Sequence, residues 1–138
     1  MKKLLIYTTI VITFAKLHAE KEPFIQCADL SYVNEMLDAG VRYRSADGAV
    51  REPYALFKEI GTQMVRVRLW HDPEWSEGYS TFEDVVRTIR SAKAAGMQVM
   101  LDFHYSDNWT DPGKQVVPSA WAEHVDDQET LGTLMYDY

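Results

Sequence analysis

The clearest periodicity in the chain is the alternation of residues 64–70, MVRVRLW. Met64, Arg66, Arg68 and Trp70 fall on one face, and Val65, Val67 and Leu69 on the other. This predicts a strand whose apolar side packs under helices. The arginine side must face a polar interior, a partner carboxylate or water; an edge strand with solvated arginines is the plain alternative. A helix follows. Thr81 suits its N-cap, Glu83 and Asp84 suit its N-terminal dipole, and Phe82, Val85, Val86, Ile89 and Ala92 form its apolar stripe. Gly96 can take the left-handed cap that ends it. A second apolar strand begins at Met97.

Upstream, residues 24–31 (FIQCADLS) read as a first strand. Residues 32–39 form a short helical turn stopped by Gly40. Residues 41–44 alternate up to the Asp47-Gly48 turn signal, as an irregular excursion or small hairpin. Pro53 suits the first turn of a helix carrying Tyr54, Leu56, Phe57 and Ile60 and closed by Gly61. Strand, helix, strand, helix and strand with short links make the βαβ pattern of a parallel α/β sheet. Beyond Gln115, Asp126 or Asp127 is placed to cap a further helix with Leu131, Leu134 and Met135 on one side.

The third strand turns polar within residues 99–115, VMLDFHYSDNWTDPGKQ. Asp102 and His104 are two residues apart, so a strand points both to one face, about 7 Å apart. The loop beyond holds Asp107, Asn108, Trp109, Asp111, Pro112 and Gly113. Charged and aromatic groups gathered at the C-terminal end of an apolar strand mark an α/β active-site rim. A strand end that merely meets water would explain one such residue better than a cluster. Trp70-His71-Asp72-Pro73 is a second polar-aromatic turn at a strand end.

Composition narrows the function classes. The 138 residues are 46% hydrophobic and 12% aromatic, enough for a globular core. The net charge of -7 argues against nucleic acid and a polybasic membrane-surface role. Cys27 is the one cysteine, so neither an internal disulfide nor a Cys-based zinc site is available. It reads as a small buried residue; Phe24-Ile25-Gln26 before it does not resemble a lipobox. His71, His104 and Asp102 could be assembled into a His/carboxylate metal set, but no HxH or HExxH spacing supports one. Residues 1–19 read as a secretory signal: Lys2 and Lys3, an apolar run over residues 4–15, and a cleavage position after Ala19. The run is short for a membrane span, and an uncleaved anchor is the alternative. The expected location is secreted or periplasmic.

Four runs identify a family. They are Ala28-Asp29-Leu30-Ser31, the stretch Val65-Arg66-Val67-Arg68-Leu69-Trp70-His71-Asp72-Pro73, Ala94-Ala95-Gly96-Met97, and above all residues 101–115. In order, they resemble glycoside hydrolase family 53, the arabinogalactan endo-β-1,4-galactanases, over about residues 26–138. Cys27 departs from the family pattern, which has Gly before Ala-Asp. The resemblance implies a (β/α)₈ TIM barrel and retaining hydrolysis of β-1,4-galactan by an exported enzyme. Its two catalytic glutamates would come from the fourth and seventh strands. Residues 20–138 then correspond to about the first three βα units, breaking off in the helix after the third strand. Such a fragment alone is expected to be inactive, and unstable or aggregating, because a barrel takes about 250 residues. The alternatives are a non-catalytic secreted galactan-binding protein and another retaining TIM-barrel β-glycanase, such as a mannanase or cellulase.

The resemblance assigns roles by position. Arg66 corresponds to the family's strand-end arginine near the nucleophile, with Arg68 the neighbour that could be confused with it. His104 corresponds to the third-strand histidine, which hydrogen-bonds the site or a sugar hydroxyl. Asp102 would hold Arg66 or His104, and Asp29 would do similar work on the first strand. A structural ion-pair network is the alternative for these groups. Trp109 is the leading sugar platform; Trp70 and Trp121 are weaker candidates, with core or loop packing the favoured reading of Trp121. Asp107 and Asp111 bind hydroxyls or fix the loop through backbone hydrogen bonds. Asp102 and Asp107 are not read as the catalytic pair, since both lie on one short segment. No cofactor is expected, and calcium, where bacterial members bind it, belongs to a later loop. The expected partner is the polysaccharide substrate, with no nucleic acid and a monomer when complete.

Overall fold

The computed structural model describes residues 24–138. The signal segment and its cleavage position lie outside these residues. Three strands, β1 (Cys27–Asp29), β2 (Met64–Leu69) and β3 (Gln98–Phe103), form one parallel sheet in the order β1-β2-β3. Cys27 pairs with Met64 and Asp29 with Arg66. Along the second ladder Met64 pairs with Gln98 and Arg68 with Asp102. Four helices accompany the sheet: α1 (Val33–Asp38), α2 (Pro53–Glu59), α3 (Phe82–Ala94) and α4 (Gln128–Asp137).

The helix boundaries follow local chemistry. Glu52 caps α2 by accepting from the Ala55 amide at 2.7 Å, and Pro53 fills the first turn, where its missing N–H has no partner to lose. Thr81 caps α3, and Asp127 caps α4 by accepting from the Thr130 amide at 3.1 Å. Gly61 (φ +102°) and Gly96 (φ +72°) turn the chain from helix to strand in the left-handed region, where a side chain would be strained. The small hairpin appears as one antiparallel bridge, Arg44 to Val50.

Helices α1, α2 and α3 pack on a single face of the sheet. Val65 joins Leu30, Val33, Tyr54, Ala92 and Met97 in one apolar cluster. Val67 and Leu69 join Val85 in a second, against which Ile89, Val99, Leu101 and Tyr138 pack. Each fully buried aliphatic side chain here contributes about 1.5–3 kcal/mol by leaving water. The opposite face carries Asp29, Arg66, Arg68 and Asp102. A doubly wound sheet is covered by helices on both faces. One covered face and one polar face are the arrangement of an arc of a (β/α)₈ barrel.

Several expectations need correction. The first strand is three residues long, not eight. Phe24 and Ile25 are exposed, because the β2 ladder reaches back only to Cys27. The Cys27 thiol is exposed rather than buried, on the sheet face that no helix covers. Ile60 and Phe82 also point outward, at 61% and 67% exposure. The buried side of α3 instead runs through Asp84, Val85, Thr88 and Ala92. Its polar members meet α1: Asn34 Nδ2 donates to Asp84 Oδ1 at 2.7 Å and to Thr88 Oγ1 at 2.9 Å. The second Asp84 oxygen accepts the Ser80 amide at 2.8 Å.

Candidate active-site rim

Strand parity puts three charged side chains from three strands on one face, Asp29 in register with Arg66 and Asp102 one pair further along, in register with Arg68. Arg66 at the centre of β2 donates through one guanidinium nitrogen to Asp29 on β1 and through the other to Asp102 on β3. Asp29 also accepts the Ser31 hydroxyl at 2.6 Å and the Ser31 amide at 3.0 Å. Burial pushes the Asp29 carboxyl up, but the Ser31 hydrogen bonds and the Arg66 charge outweigh it and hold it below the usual carboxylate range. The same Ser31 hydroxyl oxygen accepts the Arg68 backbone N–H at 3.0 Å. Both carboxylates of this row are therefore engaged by one arginine.

Two residues on, Arg68 has a different environment. It is 3% exposed and forms no ion pair among the described residues. Three aromatic rings surround its guanidinium instead. Its Cζ lies 4.1 Å from the Trp70 ring centre, 4.2 Å from Trp109 and 5.0 Å from Tyr32. One nitrogen donates to Ser80 Oγ at 3.2 Å, while Nε is buried without an acceptor among the described residues. Aromatic faces carry the negative end of the ring quadrupole, so they stabilise a desolvated cation that lacks a carboxylate.

His104 follows the end of β3 and stands edge-on to Trp70 and Trp109, with ring centres 5.7 and 5.9 Å away. The Thr110 amide donates to His104 Nε2 at 3.2 Å. An N–H donor facing Nε2 makes that nitrogen the acceptor, so the neutral ring carries its proton on Nδ1. Burial lowers the His104 pKa; Asp102 opposes that shift, and Arg68 and Arg66 reinforce it. The chain turns sharply at Tyr105, whose φ of 46° is a left-handed conformation rare for an aromatic residue.

The loop acids act on the backbone. Asp107 accepts the Asp72 amide at 3.0 Å through one oxygen. Its other oxygen accepts the Ser119 amide and hydroxyl, both at 2.8 Å. It thereby clasps the loop after β2 to the loop after β3. Burial pushes its carboxyl up, but the Ser119 and Asp72 hydrogen bonds and nearby His71 bring it below the usual range. Asp111 accepts the Gly113 amide at 2.7 Å. Both acids match the loop-fixing alternative.

The tryptophans divide by exposure. Trp109 is 45% exposed beside Arg68 and keeps an open surface. Trp70, expected as a weaker sugar platform, is 2% exposed: its ring is consumed by packing against Arg68, Trp75, Trp109 and His104. Trp121 is buried against His71 and Tyr138, as packing. The rim aromatic that the sequence reading passed over is Trp75. It lies in a short 3₁₀ turn, Glu74–Ser76, and donates its indole N–H to the Asp107 carbonyl at 2.8 Å. An isolated Trp between two glutamates, just past a strand end, was the available signal. Among the described residues no three His, Cys, Asp or Glu side chains converge as a metal set, and the His71, His104 and Asp102 combination is not formed.

A parallel sheet covered by helices on one face, with charged side chains on the other and an aromatic rim at the strand ends, is the arrangement of an arc of a (β/α)₈ barrel. The chain belongs to glycosyl hydrolase family 53, whose model matches residues 25–138. It is 47% identical over 141 residues to a protein of Cellvibrio japonicus named arabinogalactan endo-beta-1,4-galactanase, covering all of this chain and 37% of that protein. It is 39% identical over 113 residues to the endo-beta-1,4-galactanase of Bacillus subtilis, covering 78% of this chain and 26% of that one. Among solved structures, one described with two fungal beta-1,4-galactanases superposes with a TM-score of 0.67 at 34% identity, over 70% of this chain and 29% of that chain. The family 53 catalytic domain of Ignisphaera aggregans gives 0.66 at 35% identity, over 72% of this chain and 29% of that one. The chain thus spans about a third or less of these relatives.

Proposed function

We propose that this chain supplies the N-terminal arc of an endo-acting, retaining glycoside hydrolase that cleaves β-1,4-galactosidic bonds of galactan. The observation that carries the reading is the family match over residues 25–138, with relatives named endo-β-1,4-galactanases. Retaining hydrolysis needs two carboxyl groups about 5–5.5 Å apart, one free to attack and one free to carry a proton. Asp29 and Asp102 do not suit those roles, since Arg66 engages both. In this reading the nucleophile and acid/base are glutamates of further strands, as the greater length of the relatives allows. Arg66, Arg68, Asp102, Asp29 and His104 then support the site. Trp109, with Asp107 and Asp111 shaping its loop, faces the sugar.

The finer expectations belong to the same proposal. Lys2, Lys3 and the apolar run over residues 4–15 favour export with cleavage after Ala19. An exported galactanase would act on pectin side chains outside the cytoplasm, as a monomer. No cofactor is needed for chemistry between two carboxylates.

The test is to express the native protein from its own gene and assay β-1,4-galactan, mannan and cellulose. Release of galacto-oligosaccharides from galactan alone, with β-configured new ends by NMR, is the expected result. Binding of galactan without hydrolysis would replace it with a binding module, and hydrolysis of mannan or cellulose with another β-glycanase. The secreted protein is expected to begin at Glu20.

A further inference from the structure

A cleft that none of Asp29, Arg66 and Asp102 lines lies on the rim. It has a volume of about 330 Å³ and lies between the loops after β1 and β2, with Tyr32 and Glu35 on one side and Trp75, Glu77 and Tyr79 on the other. Ligand pockets run from about 300 Å³ upward, so this cleft can hold a small polar ring. Its walls follow two neighbouring, hydrogen-bonded strands, β1 and β2, with Glu35 on the first turn of α1.

Its lining is of one chemical kind. Trp75 is 49% exposed, Tyr32 is also exposed, and the carboxylates of Glu35 and Glu77 have no cation or hydrogen-bond partner among the described residues. Aromatic faces beside free carboxylates suit a sugar, which presents one face of C–H bonds and a ring of hydroxyl donors. A phosphate or an acidic ligand would be repelled.

The platform is also held in advance. The Trp75 indole N–H is fixed by the Asp107 carbonyl at 2.8 Å, and its ring leans on Trp70 at a centre distance of 4.8 Å. Tyr32 is backed by the Arg68 guanidinium, and the Tyr79 hydroxyl donates to Asp38 at 3.3 Å. Trp70, at the base of the cleft, has a buried indole N–H without an acceptor among the described residues. Side chains locked before the ligand arrives lose little freedom on binding.

We propose that this cleft is a galactosyl subsite of the enzyme, in which Trp75 stacks on one sugar ring of the polysaccharide and Glu35 and Glu77 accept hydrogen bonds from its hydroxyls. The inference rests on the galactanase reading above. It makes Trp75 a determinant of substrate length: a chain long enough to reach the cleft gains binding that a short one lacks.

The test measures kcat/KM of the native protein and of Trp75→Ala, Trp75→Phe and Glu77→Gln on a series of β-1,4-galacto-oligosaccharides and on galactan. Trp75→Ala is expected to lose about tenfold on long substrates and nothing on the shortest one cleaved. Trp75→Phe, which keeps an aromatic face but loses the N–H, is expected to retain most of the long-substrate rate, and Glu77→Gln to lose a smaller factor on long substrates only. Equal losses at every length, or a Trp75→Phe protein as impaired as Trp75→Ala, would make Trp75 a loop clamp and overturn the subsite. Unchanged kinetics in all variants of an active enzyme would overturn the subsite and leave the galactanase reading intact. A native protein inert toward galactan would overturn both.

Discussion

The guanidinium of Arg68 lies 4.2 Å from the ring centre of Trp109, which belongs to a loop 41 positions further along the chain. The contact joins the middle of the sheet to the loop after β3 without any carboxylate. Because the charge is buried among rings, its stability depends on a flat, delocalised cation.

Arg68→Lys keeps the charge but loses the planar fork. The expected cost is about 2 kcal/mol of unfolding free energy, read as a shift of the urea midpoint of the native protein. Trp109 fluorescence should also become more solvent-exposed. An unchanged midpoint would mean that the rings do not hold the cation.

Asp107→Ala removes the acceptor for three donors on two loops. The expected loss is about 1–3 kcal/mol, together with faster proteolysis between residues 106 and 120. Asp107→Asn keeps one oxygen and should fall between the two.

Asp84→Ala strands the Ser80 amide and takes from the Asn34 amide its shortest hydrogen bond, leaving it the Thr88 hydroxyl and the residue 84 carbonyl. Both donors are buried, so about 2–3 kcal/mol of destabilisation is expected. Asp84→Asn should cost less, since the amide oxygen can still accept. Thermal unfolding of the two variants separates them.

Stability should fall in two steps as the solution is acidified. Burial holds His104 below its ordinary 6.5, so the unfolded chain takes up that proton first and the folded state loses ground as pH drops beneath 6.5. Asp29 and Asp107 are held below 3.8, so their contribution is intact above that value and is lost as pH falls further. His104→Gln should erase the upper step and leave the lower one, in urea midpoints measured from pH 7.5 downward.

What could be read in the sequence was what local pattern controls. The alternation of residues 64–70 placed β2, and Thr81, Gly96 and Pro53 placed helix ends, because capping and period act within a few residues. The one-sided row of Asp29, Arg66 and Asp102 followed from strand parity once three parallel strands were in hand. Pairings between distant segments were not legible. Asp84 looked like a dipole acid, yet it is buried because Asn34, fifty positions earlier, meets it. Phe82 looked like core, yet the first turn of α3 rotates it outward and gives its place to Thr88. Trp70, expected as a platform, is covered, while Trp75, which no expectation named, is exposed, since which indole is covered depends on how two loops close over each other.

Ser31 ties these levels together through a single oxygen. It donates its hydrogen to Asp29 and, with a lone pair, takes the amide of Arg68. The carboxylate that steadies Arg66 and the backbone that carries Arg68 therefore share a hinge pin. Ser31→Ala would therefore loosen the surroundings of both arginines at once, though it touches neither side chain.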